Sequence, residues 1–303
     1  MYNELSAYLA EKDVKYKGHI KLSEYSSVRI GGDIEIGIFP NTVQKLISVL
    51  SYLKEMSIPF ALFGNMTNVL ADDSRFRGAV VFTRGVKSFR LNENVALAEC
   101  GVSFSALISK MAEHSLGGLE PLFGIPGTVG GMIYSNAGAF GMEIADVLSY
   151  VRAYDIKNNE VLTISKEDLG LSYRHSLFKD NKNLFILDAA FKFAHRESDK
   201  IFSDIRAISE VRRRKQPIEY PSLGSVFKRR DGIIPAKLID ESSLRGYRIG
   251  GAEVSEKHAG FIVNKGGATA GEFKCVVEHV KKTISQKYGV NLEEEIEYFN
   301  FLP

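Results

Sequence analysis

The order of apolar and polar positions predicts a chain in which helices and strands alternate. Residues 34–39, IEIGIF, form a short apolar run of strand length. Asn41 offers a helix cap just after it, and Val43, Leu46, Ile47, Leu50 and Leu53 then recur at helical spacing. Pro59 stops that helix, and FALFG, residues 60–64, reads as a second strand. Ser103 can cap another helix that places Leu107, Ile108 and Met111 on one face. Strand-like stretches at 151–156 and 184–193 flank an irregular middle. This alternation favours layered α/β or α+β architecture.

A second pattern starts at 194–200, where FKFA gives way to HRESDK. The spacing predicts a helix over 198–214, running into Arg212-Arg213-Arg214-Lys215 and then Gln216-Pro217. Thr269 and Glu272 have the spacing of a capping box. Behind them Phe273, Val276, Val277, Val280 and Ile284 make an apolar stripe, and the chain ends in a strand-like EIEYF. No internal repeat or low-complexity tract interrupts these elements.

Composition narrows the classes. The 303 residues suggest about two domains at roughly 150 residues each. Hydrophobic residues are 45% and charged residues 25%, values that exclude a disordered or collagenous chain. A net charge of +2 gives nucleic acid no electrostatic foothold. The charge is uneven, however: residues 206–248 hold 11 basic and 5 acidic side chains, a net +6. A solvated helix face explains part of that excess, and a pocket for a compact anion such as a diphosphate explains it too. Cys100 and Cys275 have neither a metal-ligand spacing nor a disulfide framework. They are expected to be two buried free thiols in a reducing compartment. No signal-peptide core opens the chain, and no apolar run approaches the ~18 residues of a membrane span. A cytoplasmic protein is expected.

Glycine is the informative excess. Residues 117–141 contain eight of the 27 glycines. Backbone there either approaches something closely or turns where Cβ forbids it. Gly124-Ile-Pro-Gly-Thr-Val-Gly-Gly131, followed by Ser135-Asn-Ala-Gly-Ala139, fits neither a dinucleotide fingerprint nor a P-loop. Gly64-Asn65-Met66-Thr67-Asn68 follows a strand, where a Gly/Asn turn can present successive N–H groups to a pyrophosphate. An ordinary tight turn is the other reading. In Tyr173-Arg174-His175-Ser176 the arginine can fork onto a carboxylate. His175 and Ser176 are adjacent, and neighbours in a strand point apart, so a catalytic triad is disfavoured. Gly224 leaves the Ser225 hydroxyl approachable, without the G-x-S-x-G elbow of hydrolases. If Glu293-Glu294-Glu295 lies in the final strand, alternation turns at least one member inward.

Taken in order, these motifs closely resemble the UDP-N-acetylenolpyruvoylglucosamine reductase family, also called UDP-N-acetylmuramate dehydrogenases. The resemblance runs from Ser26-Ser-Val-Arg-Ile-Gly-Gly32 to Leu292–Ile296. Its most specific stretch is Gly117-Gly-Leu-Glu-Pro-Leu-Phe-Gly-Ile-Pro-Gly-Thr-Val-Gly-Gly131 with Asn136-Ala-Gly-Ala139. Tyr173-Arg-His-Ser176, Gln216-Pro217, Gly224-Ser-Val-Phe-Lys228 and Val254-Ser-Glu-Lys-His258 accompany it. Phe178 and Leu184 are six positions apart, which looks like the subtype without a tyrosine-bearing insertion.

The resemblance implies an α+β protein. Residues 1–195 would form an FAD-binding domain of the vanillyl-alcohol-oxidase (PCMH) type, in two lobes at about 1–83 and 84–195. Residues 196–303 would form a smaller α+β substrate domain. It implies FAD and NADPH as cofactors, no metal, and UDP-N-acetylglucosamine enolpyruvate as the small-molecule substrate, with neither nucleic acid nor membrane as partner. A monomer is expected. Hydride would reach the methylene carbon of the enolpyruvyl ether, and negative charge would spread into the adjacent carboxylate. Arg174 and Glu295 would stabilise that enol-like species, Glu295 only while holding or orienting a proton. Ser225 would protonate the carbon. For the cofactor, the resemblance implies Arg29, Gly64, Asn65, Met66, Thr67, Asn68, Gly124, Pro126, Gly127, Thr128, Gly130, Gly131, Asn136, Ala137 and Gly138. For the substrate it implies Tyr173, Gln216, Lys228 and Lys257. Three positions depart from the family pattern: Met66 where a glycine is usual and positive φ is called for, Arg229-Arg230 after Phe-Lys, and Pro235 at a helix start. Two rivals stand beside this reading, a flavin-dependent oxidase of the same fold and a non-catalytic scaffold for UDP-sugars.

Overall fold

Caps and apolar stripes explain most of the helices. The structure, a computed structural model, describes residues 2–230 and 232–301. Its helices are α1 (Tyr2–Glu11), α2 (Val43–Glu55), α3 (Phe104–Glu113), α4 (Val129–Tyr134), α5 (Leu177–Asp180), α6 (Ser198–Lys215), α7 (Pro235–Glu241) and α8 (Ala270–Tyr288). α2 buries Leu46, Val49, Leu50 and Leu53 along one side. Its cap is Thr42 rather than the expected Asn41, because the Thr42 hydroxyl accepts the Lys45 N–H at 3.2 Å. Ser103 does precede α3 but makes no side-chain cap bond, and it is bridged to Thr128 instead. α8 carries the full capping box of Thr269 and Glu272, buries Phe273, Val276, Val277, Val280 and Ile284, and ends at Gly289. Pro235 occupies the first turn of α7, where its missing N–H costs nothing.

The chain packs into two units. The first holds Met1–Gly18, Ile36–Asn65 and Gly78–Glu210, and the second holds His19–Glu35, Met66–Arg77 and Val211–Pro303. The division passes through the strands Lys15–Lys21, Asp33–Phe39 and Phe76–Phe82, so packing does not follow one cut near residue 195.

The first unit contains an antiparallel five-stranded sheet. Its order is Glu160–Ser165, Leu148–Asp155, Leu184–Lys192, Val95–Glu99, Phe89–Asn92. A parallel pairing joins Phe60–Phe63 to residues 79–82. Leu107, Met111, Ile133, Val151 and Phe191 lie in its core, each burial contributing about 1.5–3 kcal/mol.

The second unit contains an antiparallel sheet in the order Ser222–Ser225, Phe261–Asn264, Ala252–Val254, Arg248–Ile249. The α8 stripe shares a core with Leu223, Val226, Val254 and Ile262. Glu297–Phe299 pairs in parallel with Val69–Ala71, a shorter terminal strand than the five residues expected. Cys100 is buried but Cys275 is exposed, against the expectation of two buried thiols. Cys275 stands next to Val276 on α8, off the apolar stripe.

Thr269→Ala removes the hydroxyl that accepts the Glu272 N–H. The expected outcome in urea unfolding is a loss of about 1 kcal/mol with an unchanged slope.

Candidate active site

In the first unit two glycine-bearing segments meet. Gly64 follows the strand Phe60–Phe63, and a Cβ there would stand 2.4 Å from the Thr128 hydroxyl. Only glycine permits that approach. Thr128 is buried and caps α4, accepting the Gly131 N–H at 3.4 Å. The loop before α4 is anchored from beneath: the N–H groups of Val129 and Gly130 donate to the carbonyls of Val102 and Cys100. Burial pushes the Cys100 thiol up to about 12, so it stays protonated under this loop. Gly124, Pro126 and Gly131 are exposed along the same stretch. Main chain and small residues are thus exposed along this stretch, beside the partly buried Phe123 and Ile125. That suits the long, narrow FAD molecule, which packs along backbone where bulky side chains would block it.

Two further segments of the first unit carry Arg174. Ser172 and His175 bond each other in both directions through their backbones, closing a turn with Tyr173 and Arg174 at its tip. Arg174 takes a left-handed φ of +56°. Its Nη2 donates to the Gly138 carbonyl at 2.9 Å, and its guanidinium lies 5.0 Å from the Tyr173 ring centre. Ser176 is fully buried and donates to the Tyr134 carbonyl at 2.7 Å. Ala137 and Gly138 run beside this turn. The Asn136 side chain bonds protein groups on both sides of the amide. Its partners Glu143 and Ser172 were not foreseen. Only the Glu143–Asp146 pair left a trace in sequence, the spacing of a capping box.

In the second unit the motif 26–32 supports the strand of Ser225. The Ser27 hydroxyl donates to the carbonyls of Ser222 at 2.8 Å and Met66 at 3.2 Å. Asn264 Nδ2 donates to the Val28 carbonyl at 2.9 Å. Arg29 is exposed with φ +56°, and Met66 is buried with φ +49°, the left-handed backbone that a glycine would take freely. Thr67 follows it, and Asn68 Nδ2 donates to the Glu295 carbonyl at 2.9 Å.

Ser225 sits past a bulge. Ser222 pairs with Val263 and Ser225 with Phe261, so the strand carries one extra residue. Gly224 absorbs it with φ +78° and open space around it, and Ser225 emerges exposed. The chain then pairs with the C-terminal segment. Glu295 N–H donates to the Val226 carbonyl at 2.7 Å, and Lys228 N–H to the Glu293 carbonyl at 2.8 Å. Glu295 therefore pairs with Val226, the residue that follows Ser225. The neighbouring carboxylates are occupied, Glu293 by Lys228 and Glu294 by Lys281.

The expected substrate contacts have protein partners in this state. Lys228 meets Glu293, and Lys257 meets Glu219 at 3.2 Å. Such half-exposed pairs are worth only about 0–1 kcal/mol, so exchange for a phosphate oxygen costs little. Gln216 donates its N–H to the Arg212 carbonyl at 2.8 Å at the end of α6. Burial pulls His258 below the usual histidine range, helped by Arg245, Arg229 and Lys215. Its Nδ1 accepts the Gly260 N–H at 3.1 Å, so at neutral pH the imidazole is uncharged with its proton on Nε2. Among the described residues no helix is long and apolar enough to cross a membrane.

Two family models match the chain. Residues 35–165 match an FAD binding domain, and residues 216–299 match the C-terminal domain of UDP-N-acetylenolpyruvoylglucosamine reductase. The reductase of that name from Caldicellulosiruptor saccharolyticus is 39% identical, over 96% of this chain and 94% of the relative. Its namesake from Clostridium novyi is 38% identical, over 97% and 94%. A crystal structure of the reductase from Thermus caldophilus superposes with a TM-score of 0.81 at 27% identity, covering 94% of this chain and 99% of the other.

Gly64→Ala forces a methyl group onto the Thr128 hydroxyl. The expected outcome is a stability loss of about 1–3 kcal/mol and a lower FAD content in the purified protein, read by thermal unfolding and by absorbance near the flavin bands.

Proposed function

The chain belongs to the UDP-N-acetylenolpyruvoylglucosamine reductase family and is an FAD-dependent oxidoreductase, and from that premise we propose how its own residues work. The reaction converts UDP-N-acetylglucosamine enolpyruvate to UDP-N-acetylmuramate, with NADPH as reductant, in peptidoglycan precursor synthesis. Bound FAD supplies the hydride chemistry between NADPH and the enolpyruvyl ether. The alkene carbons become a single bond: the methylene carbon gains hydride, and the carbon bearing the carboxylate gains a proton.

Charge develops on that second carbon and its carboxylate. Arg174 binds the carboxylate through a fixed fork of donors, stabilising charge as it forms. Glu295 holds or orients a proton toward the same enol-like group, since a bare carboxylate would repel it. Ser225 Oγ donates the proton to carbon. A hydroxyl is a weak acid, but the acceptor is a strong base, and general-acid help of this kind gives ~10²–10⁴ in rate. The observation that supports this reading is the Glu295 N–H to Val226 O bond of 2.7 Å, which pairs the segment carrying Ser225 with the segment carrying Glu295.

The remaining assignments follow the same reading. Residues 1–195 bind FAD through Arg29, Gly64–Asn68, Gly124–Gly131, Ala137 and Gly138, and residues 196–303 bind substrate. Tyr173, Gln216, Lys228 and Lys257 engage the UDP-sugar, helped by the net +6 of residues 206–248. Because UDP-sugars and NADPH are cytosolic metabolites, the enzyme works in the cytoplasm, and its product supports cell shape and division. All three reacting side chains come from one chain, which a monomer satisfies.

Ser225→Ala is expected to slow reoxidation of reduced flavin by the enolpyruvyl substrate by ~10²-fold or more, far beyond any change in flavin reduction by NADPH. Equal slowing of both half-reactions in anaerobic stopped-flow would remove the proton-donor role. Glu295→Gln is expected to impair the same second half-reaction selectively, and unchanged substrate turnover would remove its assignment.

A further inference from the structure

Asn136 is the most deeply committed polar residue near Arg174. It is 0% exposed and holds a left-handed φ of +39°. Its Nδ2 donates to Glu143 Oε2 at 2.7 Å and to the Ser172 carbonyl at 2.9 Å. Its Oδ1 accepts the Ala145 N–H at 3.3 Å. An amide nitrogen has two hydrogens, and both are used within the protein. The side chain has no donor left for a cofactor.

Its partners have a pattern. Glu143 pairs with Gly138 across the short hairpin Gly138–Ala139 and Met142–Glu143. The Gly138 carbonyl is the group that Arg174 Nη2 grips. Ser172 opens the turn that presents Arg174. The amide of Asn136 thus ties the segment that receives the guanidinium to the turn that delivers it. Left-handed backbone at Arg174 is sparsely populated and persists only where surrounding bonds over-determine it.

We propose that Asn136 is a positioning residue for Arg174, clamping the Ser172–His175 turn to the Gly138–Glu143 hairpin so that the guanidinium is held in one orientation. The inference rests on the reading that Arg174 meets the substrate carboxylate, and it assigns to Asn136 a part in that step rather than in cofactor contact. A guanidinium released from its turn still carries its charge but loses its aim, and a misplacement of about 1 Å can cost ~10²-fold.

The test is a double-mutant cycle. Asn136→Gly fits left-handed backbone without strain and removes the side chain, the amide with it. Single-turnover reoxidation of the reduced flavin by UDP-N-acetylglucosamine enolpyruvate is measured for the native protein, N136G, Arg174→Ala and the double variant. Flavin content and visible spectrum are recorded for each. The expected result is that N136G retains FAD with an unaltered spectrum and slows reoxidation by about 10–100-fold. In the Arg174→Ala background the same change is expected to add less than about twofold. Full multiplicative slowing in both backgrounds would overturn the proposal while leaving Arg174 its role. A native-like rate in Arg174→Ala alone would instead remove the reading of Arg174, and the proposal with it. Should N136G fail to fold, Asn136→Ser is carried through the same cycle. Loss of flavin from both variants would also overturn the proposal, because the amide would then serve the cofactor-holding fold.

Discussion

The chemistry proposed for the second unit depends on one short backbone pairing, between residues 226–228 and 293–295. The bonds Glu295 N–H to Val226 O and Lys228 N–H to Glu293 O fix the register of these two segments. A slip by one residue would turn every side chain of one segment to the opposite face. The bulge at Gly224 sets where Ser225 falls in that register, and Asn68 holds the Glu295 carbonyl from the other side. Ser27 and Asn264 extend the support to the strand that precedes the serine. A hydroxyl that must give a proton to one particular carbon needs this rigidity, because proton transfer works only within hydrogen-bond reach.

The first unit holds its own part differently. Its device is backbone in sparsely populated conformations. Asn136 and Arg174 both have positive φ, and so do Arg29 and Met66 in the second unit. Each costs free energy that packing must offset, and each lies in a motif assigned to substrate or cofactor. At Gly64 the constraint is space: a Cβ there would collide with the Thr128 hydroxyl. Cys100 is buried as a protonated thiol and shares a hydrogen bond with Thr83.

Local signals in the sequence were reliable where the structure is local. The Thr269–Glu272 box, the α8 stripe, the strand at 34–39 and the proline at the start of α7 are all found where pattern places them. Asn41 and Thr42 are adjacent residues with the same capping chemistry, and only the geometry of Lys45 decides between them. Cys275 looked buried on composition, but its helix face is set by the residues around it. The site itself was legible through motif resemblance and not through spacing. Nothing in the composition of residues 222–228 announces a pairing with residues some 65 positions later, and a bulge has no sequence signature beyond its glycine. Asn136 illustrates the limit. Its place in Asn-Ala-Gly-Ala suggests a ligand contact, while its three side-chain partners lie 7 to 36 residues away, beyond what local spacing shows.

The central proposal is that Arg174, Ser225 and Glu295 each act on the enolpyruvyl group during its reduction. The most direct test is a crystal structure of the chain with FAD and UDP-N-acetylglucosamine enolpyruvate bound. The account predicts Arg174 forked onto the substrate carboxylate, Ser225 Oγ within about 3 Å of the position the transferred proton must reach, and Glu295 against the same enol oxygen. A map in which any of the three lies outside the cavity that holds the enolpyruvyl ether would contradict it.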